Sequence, residues 1–308
     1  MNTTTTPNKT SNTIAVIGLG SMGYGMACTL LRTENFTVHG FDVAPSSVER
    51  FQSAGGADGE LKAIAAELDT VVVVVLNADQ TEAVLFGDQG VVPKLKAGAV
   101  VIACATVAPE FAAEMAARCA TYNVHYLDAP ISGGAVKAAN GQLSIMASGS
   151  AEAFTAARPV LDVMAENVFE LGDTAGPGSA MKAVNQLLAG VHIASMAEAM
   201  TFGIKQGIDA DKIVEVITQS AGNSWMFANR APHIVEGDYT PHSSVDIWPK
   251  DLGIVLDIAR SLKFSAPLTA TALQQFVAAS GSGLGQEDDA AVAKIYARNS
   301  GVSLPGED

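Results

Sequence analysis

Short apolar segments alternate with amphipathic segments along the first half of the chain. Residues 13–18 are apolar and β-branched, which is typical of a buried strand, and apolar positions recur with helical periodicity over 21–32. The further predicted strands are 37–42, 70–76, 99–103, 124–127, 143–147 and 168–171, and the further predicted helices are 62–68, 109–121 and 151–164. This alternation predicts an α/β fold built on a largely parallel sheet.

The pattern changes after Gly172. Over residues 178–207 only Gly190 and Gly203 are strong helix breakers, and apolar residues cover almost every face, so we expect a long buried helix that joins two domains. Helical periodicity continues at 209–220, 248–263, 267–280 and 289–299, with no convincing strand. The sequence thus predicts a disordered N-terminus over residues 1–12, an α/β domain over 13–174 and an all-helical domain over 175–308.

The net charge of −14 narrows the partners that the chain can bind. Nucleic acids and anionic membrane surfaces both attract basic patches, so neither is expected here. The longest apolar run, residues 71–76, is far shorter than the ~20 residues of a membrane span. Residues 1–13 are polar, so we expect no signal peptide. We expect a cytoplasmic protein that holds anionic ligands with backbone N–H groups and a few placed cations.

The cysteines and histidines show no metal-binding pattern. Cys28, Cys104 and Cys119 lack C-x-x-C spacing, and the five histidines include no H-x-x-x-H pair. We interpret the cysteines as buried apolar thiols rather than as disulfide partners or metal ligands. The sequence predicts no metal site.

The segment Gly18-Leu19-Gly20-Ser21-Met22-Gly23 is a G-x-G-x-x-G motif. A predicted strand precedes it, a predicted helix follows it, and Asp42 ends the next strand 19 residues after Gly23, which is the context of a dinucleotide fingerprint. Gly18 permits the tight turn, Gly20 lets a pyrophosphate approach the backbone, and Gly23 lets the helix pack on the sheet. The N–H groups of residues 21–23 would bind the pyrophosphate.

Asp42 decides between the two nicotinamide cofactors. Its carboxylate is expected to accept hydrogen bonds from the adenosine ribose and would repel a 2′-phosphate, and residues 43–48 contain no arginine to hold one. The sequence therefore favours NAD over NADP. FAD is disfavoured because the second half of the chain lacks the pattern of a flavin domain.

Three polar residues share one face of the long apolar helix: Lys182, Asn185 and Gln186, at i, i+3 and i+4. One interpretation is a solvated first turn; the other is a catalytic face, favoured because the helix is too apolar for the surface. The positive helix end and partial burial both disfavour an added cation, so Lys182 should lose its proton more readily than a solvated lysine. We predict that Lys182 exchanges the proton of a substrate alcohol, while Asn185 or Gln186 holds the substrate oxygen.

Four motifs, in this order, resemble the β-hydroxyacid dehydrogenase family: GLGSMG (18–23), DAPISGG (128–134), GPGSAMKAVNQ (176–186) and KDL (250–252). The resemblance covers nearly the whole chain, from Ile14 to about Arg298. It implies a Rossmann-type doubly wound domain followed by an all-helical substrate and oligomerisation domain, joined by the long interdomain helix. It also implies an NAD-dependent dehydrogenase that acts on the CH–OH group of a small hydroxy acid.

By the same resemblance, Lys182 matches the family's catalytic lysine. Ser132, Gly133 and Gly134 match the loop whose hydroxyl and N–H groups bind the substrate carboxylate. Small residues suit that role because a bare backbone can surround an anion closely.

The resemblance also implies further cofactor contacts. Leu76 and Asn77 match the loop beside the adenine-linked ribose, Thr106 matches a threonine at a strand end near the cofactor, and Lys250 resembles a lysine at the nicotinamide end. The alternative for Lys250 is a solvated helix start beside Asp251.

Two departures from the family pattern affect the site. Many relatives have two consecutive asparagines where this chain has Asn185 and Gln186, which leaves open which amide orients the substrate. Ala105 replaces a serine and so removes one hydroxyl contact. Neither change affects the core chemistry.

The choice of substrate depends on the helical half. Residues 222–230 and 238–242 resemble the corresponding stretches of L-threonate dehydrogenases within the family, which implies oxidation of L-threonate to its 2-oxo acid. The alternative is that Trp225, Met226 and Phe227 are core residues and Arg230 forms a surface ion pair. Other activities left open are 3-hydroxyisobutyrate dehydrogenase, tartronate semialdehyde reductase, a non-catalytic NAD-sensing protein and an imine reductase, although relatives of the last kind commonly replace the lysine.

The apolar helical half, with few charges on its long helix, predicts self-association. We expect a homodimer or homotetramer assembled through that half, and a small hydroxy acid as the other partner.

Overall fold

The computed structural model describes residues 12–306, and the chain divides into two units, residues 1–182 and 183–308. The predicted domain boundary between 174 and 175 lies shortly before this division. The predicted disordered N-terminus lies outside the described residues apart from Asn12, which is the first residue of the first strand.

A parallel sheet of five strands forms the centre of the first unit. Its strands are β1 (Asn12–Ile17), β2 (Phe36–Phe41), β3 (Thr70–Val73), β4 (Val100–Ala103) and β5 (His125–Asp128). They lie in the order β2-β1-β3-β4-β5, and all four pairings are parallel. β3 and β4 are buried at every residue, as strands covered on both faces require. The direction of winding changes between β1 and β3, which opens a crevice at their carboxyl ends.

Between residues 12 and 176, the described part of the first unit before the long helix that begins at Pro177, there are seven helices. They are α1 (Gly23–Leu31), α2 (Pro45–Ser53), α3 (Leu61–Ile64), α4 (Ala78–Phe86), α5 (Pro109–Ala120), α6 (Gly134–Ala139) and α7 (Ala151–Met164). Short 3-10 turns occur at Ala65–Glu67 and Val92–Lys94. Alternate residues of β1 point to two different cores: Ile14 and Val16 pack with α1 and α7, whereas Ala15 and Ile17 pack with α4 and α5. The predicted doubly wound α/β fold is confirmed.

A second, smaller sheet departs from the single parallel sheet that the sequence predicted. It contains β6 (Ile131–Ser132), β7 (Leu143–Ala147) and β8 (Ala165–Glu170); β6 is antiparallel to β7, and β7 is parallel to β8. Sequence analysis missed β6 because two residues are too short to show a period. This strand leads directly into the Ser-Gly-Gly loop.

The regular elements among the described residues of the second unit are helices, apart from one isolated β-bridge between Ser244 and Asp288. After the end of α8 (Pro177–Lys205) this unit contains α9 (Ala210–Thr218), α10 (Trp225–Glu236), α11 (Ile247–Ser261), α12 (Pro267–Ala279) and α13 (Ala293–Ser300). A π-helical turn at Ser280–Leu284 and a 3-10 turn at Asp289–Val292 join the last two helices. The sequence pattern did not predict α10, which contains a proline at position 232. Its buried face joins an apolar core with residues of α8 and α12.

Helix α8 is the one helix among the described residues that is long and apolar enough to cross a membrane by length and composition. Its most apolar window has a mean hydropathy of 1.4 and is 44% buried. The search for uninterrupted apolar runs missed it because polar residues are spaced along it. Lys182, Gln186 and Thr201 on this helix are buried and hydrogen-bonded to other protein groups, as in the core helix of a soluble protein.

Two of the three cysteines are fully buried, and all three are free thiols. Burial raises the pKa of both Cys104 and Cys119 to about 12. These two match the predicted buried apolar thiols. Cys28 is only partly buried at the edge of a core.

The carboxylate of Asp128 binds the first turn of α8. Its Oδ2 accepts hydrogen bonds from the backbone N–H groups of Gly176 (3.0 Å) and Ser179 (2.8 Å), and its Oδ1 accepts one from the Ser179 hydroxyl (2.7 Å). The Ser148 hydroxyl is a further donor at 3.3 Å. Burial raises the pKa of Asp128, and these hydrogen bonds oppose that rise. Asp128, which lies about 50 positions before α8 in the sequence, thus accepts hydrogen bonds from N–H groups that have no partner within the helix.

Replacing Asp128 with asparagine should lower the free energy of unfolding by about 1–3 kcal/mol, because an amide NH₂ would face buried N–H donors that lose an acceptor. Urea denaturation followed by circular dichroism measures the change. Glu166→Gln is the matched control, since Glu166 pairs with Lys137 at 3.7 Å on the exposed surface and should cost less than about 1 kcal/mol. Equal losses in the two variants would contradict the anchoring role of Asp128.

Candidate active site

The residues predicted to bind the cofactor follow the carboxyl ends of four neighbouring strands. Gly18 follows β1, Asp42 follows β2, Asn77 lies shortly after β3, and Thr106 lies shortly after β4. Because parallel strands end at the same edge of a sheet, the fold brings these positions to one edge. This edge includes the crevice between β1 and β3, the position at which folds of this type bind nucleotides.

The glycine loop has the geometry that its spacing predicts. Gly18 has a φ of +98°, and a Cβ there would lie 2.2 Å from the carbonyl oxygen of Val74. A Cβ at Gly23 would lie 1.9 Å from the carbonyl oxygen of Gly18, so only glycine permits this close approach. At Gly20, in contrast, no protein atom lies within 4 Å of the Cβ position. The open space at Gly20 leaves room for a ligand against bare backbone.

Helix α1 begins at Gly23, two residues later than predicted, and no side chain caps it. Leu19 is buried beneath the loop, whereas Ser21 is exposed and Met22 is half-buried. The first N–H groups of the helix therefore have no side-chain acceptor, as a site for a pyrophosphate requires.

Asp42 ties the end of β2 to the glycine loop. Its Oδ2 accepts a hydrogen bond from the N–H of Leu19 at 2.7 Å, and its Oδ1 accepts one from the N–H of Ala44 at 2.8 Å. Each carboxylate oxygen keeps a second lone pair for a ribose hydroxyl. The next arginine along the chain, Arg50, has its guanidinium carbon 3.7 Å from the centre of the Tyr24 ring.

Leu76 and Asn77 form the start of α4. The exposed Leu76 donates its N–H to Gln80 Oε1 at 2.9 Å, and Asn77 Oδ1 accepts the N–H of Gln80 at 2.9 Å. Asn77 is therefore the N-cap of this helix, a role that the family resemblance did not reveal although asparagine is a preferred N-cap. Thr106 is half-buried.

Lys182 is buried in the second turn of α8, with 8% of its surface exposed. Its Nζ donates a hydrogen bond to the carbonyl oxygen of Ile131 at 2.8 Å. The interpretation of a solvated first turn is therefore wrong. Since Ile131 immediately precedes Ser132, the structure brings the lysine amine to the strand that leads into the Ser-Gly-Gly loop.

The loop itself turns sharply at its two glycines. Gly133 and Gly134 have φ values of +136° and +76°, which side chains with a Cβ rarely adopt. Ser132 is half-buried at the end of β6, and α6 begins at Gly134. A loop of small residues with exposed N–H groups can surround an anion. Sequence analysis included Asp128 as the first residue of the DAPISGG motif but assigned it no role.

Four polar residues, of which Gln186 and Asp251 are buried, form a network within the second unit. Asn185 Nδ2 donates to Gln186 Oε1 at 2.8 Å, and Gln186 Nε2 donates to Asp251 Oδ2 at 2.5 Å. Lys250 Nζ lies 2.6 Å from Asp251 Oδ1. The ion pair with Asp251 accounts for the position of Lys250, and its expected contact with the cofactor stays a prediction.

Neither interpretation of residues 222–230, the segment expected to select the substrate, agrees with the burial of all its side chains. Trp225 is 61% exposed and is not a core residue, whereas Phe227 is buried. Arg230 is an ion-pair residue but a buried one: its Nε lies 2.6 Å from Asp289 Oδ1. Burial raises the pKa of Asp289 to about 6, and the charge of Arg230 opposes that rise. Arg230 is thus held within the core of this unit by its ion pair with Asp289.

His233, His242 and Asp288 form a cluster whose possible metal-ligand atoms lie within 4.8 Å of one another. The pair-spacing search missed it because the three residues come from separate segments. Asp288 Oδ1 contacts His233 Nδ1 at 2.9 Å, and its Oδ2 accepts the N–H of His242 at 2.9 Å. Burial works to raise the pKa of Asp288, but these hydrogen bonds lower it to about 2, and the bond to Asp288 raises the pKa of His233. Both carboxylate oxygens already have protein partners, and the absence of a metal site stays a prediction.

Comparisons with known proteins cover nearly the whole chain. Residues 13–172 match the family described as the NAD-binding domain of 6-phosphogluconate dehydrogenase. Residues 176–296 match the family described as the NAD-binding domain of NADP-dependent 3-hydroxyisobutyrate dehydrogenase.

Several relatives carry dehydrogenase names. An L-threonate dehydrogenase of Cupriavidus necator is 52% identical over 298 residues, which cover 96% of this chain and 99% of the relative. A 3-hydroxyisobutyrate dehydrogenase of Pseudomonas aeruginosa is 37% identical over 85% of this chain and 90% of its own length.

A solved structure, named 3-hydroxyisobutyrate dehydrogenase of Salmonella typhimurium, has a TM-score of 0.87 and 47% identity, and covers 92% of this chain and 99% of that chain. The same family is thus found by sequence and by structure, and the resemblance inferred from the four motifs is confirmed. The chain belongs to the β-hydroxyacid dehydrogenase family, as an NAD-binding dehydrogenase of the 3-hydroxyisobutyrate dehydrogenase type.

Proposed function

We propose that this protein is a cytoplasmic enzyme that oxidises L-threonate to its 2-oxo acid, with NAD as hydride acceptor and Lys182 as general base. The observation that carries the proposal is the buried Lys182 amine at the strand leading into the Ser132-Gly133-Gly134 loop. A group that exchanges protons and a loop suited to a carboxylate are thereby close together. The L-threonate dehydrogenase relative supports the choice of acid.

Bound NAD supplies the acceptor for the hydride that leaves the carbon bearing the hydroxyl group. Lys182, in its neutral form, takes the hydroxyl proton as that hydride leaves, and in the reverse direction its ammonium returns the proton. The Ser132 hydroxyl and the N–H groups of Gly133 and Gly134 hold the substrate carboxylate. The burial of Lys182 limits the access of water to the amine.

A second candidate substrate is 3-hydroxyisobutyrate, because the solved structure at 47% identity bears that enzyme name. Tartronate semialdehyde is a further possibility within the same reaction class. Measuring NADH formation with a panel of three- and four-carbon hydroxy acids separates these activities. Rapid turnover of hydroxyisobutyrate without turnover of L-threonate would replace the proposed substrate.

Lys182→Ala should lower kcat by about 10²–10⁴-fold, the range for loss of a general acid–base group. NAD binding, measured by calorimetry, should remain.

Lys205→Ala is the matched control, since Lys205 is an exposed lysine at the other end of α8. It should retain wild-type kcat. A Lys182→Ala enzyme with full activity would instead indicate an NAD-sensing protein that needs no proton-transfer group.

Asp42 should give the enzyme a preference for NAD of at least about tenfold in kcat/KM, because its carboxylate repels the 2′-phosphate of NADP. Asp42→Asn removes the charge, at the cost of the acceptor for one of the two backbone N–H groups that Asp42 binds, so the preference should shrink in steady-state assays with both cofactors. Asp58→Asn is the control, since Asp58 lies on the exposed surface of the same unit. A wild-type enzyme that prefers NADP would refute this assignment.

We also propose that the protein is a homodimer or homotetramer assembled through the second unit. Val184, Leu188 and Phe202 are exposed apolar residues on one face of α8, and exposed apolar faces of this size commonly mark interfaces. Sedimentation velocity should show a dimer or tetramer, and Leu188→Glu should shift it toward monomer. A monomeric wild-type profile would contradict the proposal.

A further inference from the structure

The family resemblance leaves open which amide, that of Asn185 or of Gln186, faces the substrate. We propose that Asp251 acts through Gln186 as a positioning residue and fixes the carbonyl oxygen of Asn185 as an acceptor for a substrate hydroxyl. The enzyme would thereby select acids that carry a hydroxyl on the carbon next to the one oxidised. This inference rests on the proposed function.

The direction of the hydrogen bonds that join Asn185, Gln186 and Asp251 follows from which of these groups can donate and which can only accept. A side-chain amide can donate or accept, whereas an ionised carboxylate can only accept. Gln186 must therefore turn its NH₂ toward Asp251, where the donor and acceptor are 2.5 Å apart. The Gln186 carbonyl then faces the opposite way and accepts from Asn185 Nδ2 at 2.8 Å. This second bond leaves Asn185 Oδ1 as the end of the chain.

Burial fixes this direction. Asp251 is 2% exposed and Gln186 is 6% exposed, so neither can exchange its partner for water. The Lys250 ammonium lies 2.6 Å from the other oxygen of Asp251, so both carboxylate oxygens face donors. Reversing Gln186 would place two acceptors against each other in a buried site, at a substantial cost. Asn185, in contrast, is only half-buried, so a ligand can contact it.

A fixed acceptor has a definite preference among the groups of a hydroxy acid. A carboxylate and an oxo group offer no proton to Asn185 Oδ1, whereas a hydroxyl does. Asn185 lies one helical turn after Lys182, and residues so spaced have Cβ atoms about 5–6 Å apart. The hydroxyl that Asn185 would bind is therefore the one on the carbon adjacent to the reacting carbon. In L-threonate this is the C3 hydroxyl.

The test is the ratio of kcat/KM for L-threonate to that for its 3-deoxy-3-fluoro analogue of the same spatial configuration, whose fluorine can accept a hydrogen bond but cannot donate one. The wild-type ratio should be about 100 or more, since a site built to hydrogen-bond a hydroxyl rejects the analogue without it. In Asp251→Asn the new amide can donate to Gln186, which reverses the chain and presents the Asn185 NH₂. The fluorine of the analogue can accept from that NH₂, so the ratio should then fall at least about tenfold.

A double variant distinguishes this role from a merely structural one. In Gln186→Glu/Asp251→Asn, the carboxylate at position 186 accepts from both neighbouring amides, so Asn185 Oδ1 again faces outward. The double variant should recover at least half of the wild-type ratio on a logarithmic scale. Asp257→Asn, at an exposed aspartate of the same helix α11, should keep the wild-type ratio.

The outcomes separate this inference from the function on which it rests. A wild-type enzyme that oxidises no hydroxy acid overturns both. A wild-type enzyme that oxidises L-threonate, with an unchanged ratio in Asp251→Asn or no recovery in the double variant, overturns only the positioning role. Should Asp251→Asn fail to fold by circular dichroism, Asn185→Ala at its half-buried helix position supplies the same comparison: its ratio must fall about tenfold, and an unchanged ratio overturns the inference.

Discussion

The placement of Lys182, the proposed general base, depends on the carboxylate of Asp128. Asp128 accepts hydrogen bonds from the backbone at Gly176 and Ser179, and so fixes where α8 begins. Lys182 is one turn further along, and its amine therefore lies beside the carbonyl of Ile131. Asp128 and Ile131 belong to one short segment that also supplies the Ser-Gly-Gly loop. A single stretch of chain thus anchors the helix, positions the amine and forms the loop suited to a carboxylate.

The acidity of the chain explains the form of the binding loops. With a net charge of −14, the protein has few cationic side chains available to bind anionic ligands. Both candidate anion sites instead use bare backbone: the glycine loop before α1 and the turn at Gly133 and Gly134. Backbone N–H groups bind an anion without adding a counter-charge, so this arrangement is compatible with an acidic surface.

In the polar network of the second unit, a buried carboxylate fixes which end of each side-chain amide donates and which end accepts. In water, Asn185 and Gln186 could each point either way. Asp251 removes that freedom, because it is buried and can only accept. In this series of hydrogen bonds, the carboxylate of Asp251 thereby determines which atom of Asn185, two side chains away, is left as an acceptor. Specificity can then reside in a residue that has no contact with the substrate.

The sequence by itself determined the α/β fold, the long helix and the positions of the nucleotide loop and the lysine. Each of these depends on local patterns: alternating apolar segments, glycines at fixed spacing, and polar residues on one helix face. It did not reveal β6, which is too short to have a period, or α10, whose proline interrupts the pattern. It also included Asp128 in the DAPISGG motif without assigning it a role.

Tertiary structure alone decided the partners of the polar side chains. Arg230 meets Asp289, Gln186 meets Asp251, and Lys182 meets a carbonyl 51 positions away. None of these pairings follows from spacing along the chain, because each one joins segments that only the folded core brings together. Hydrophobic periodicity is a local property that a sequence displays directly. The satisfaction of buried polar groups is a non-local property, and it is fixed only when the whole core is formed.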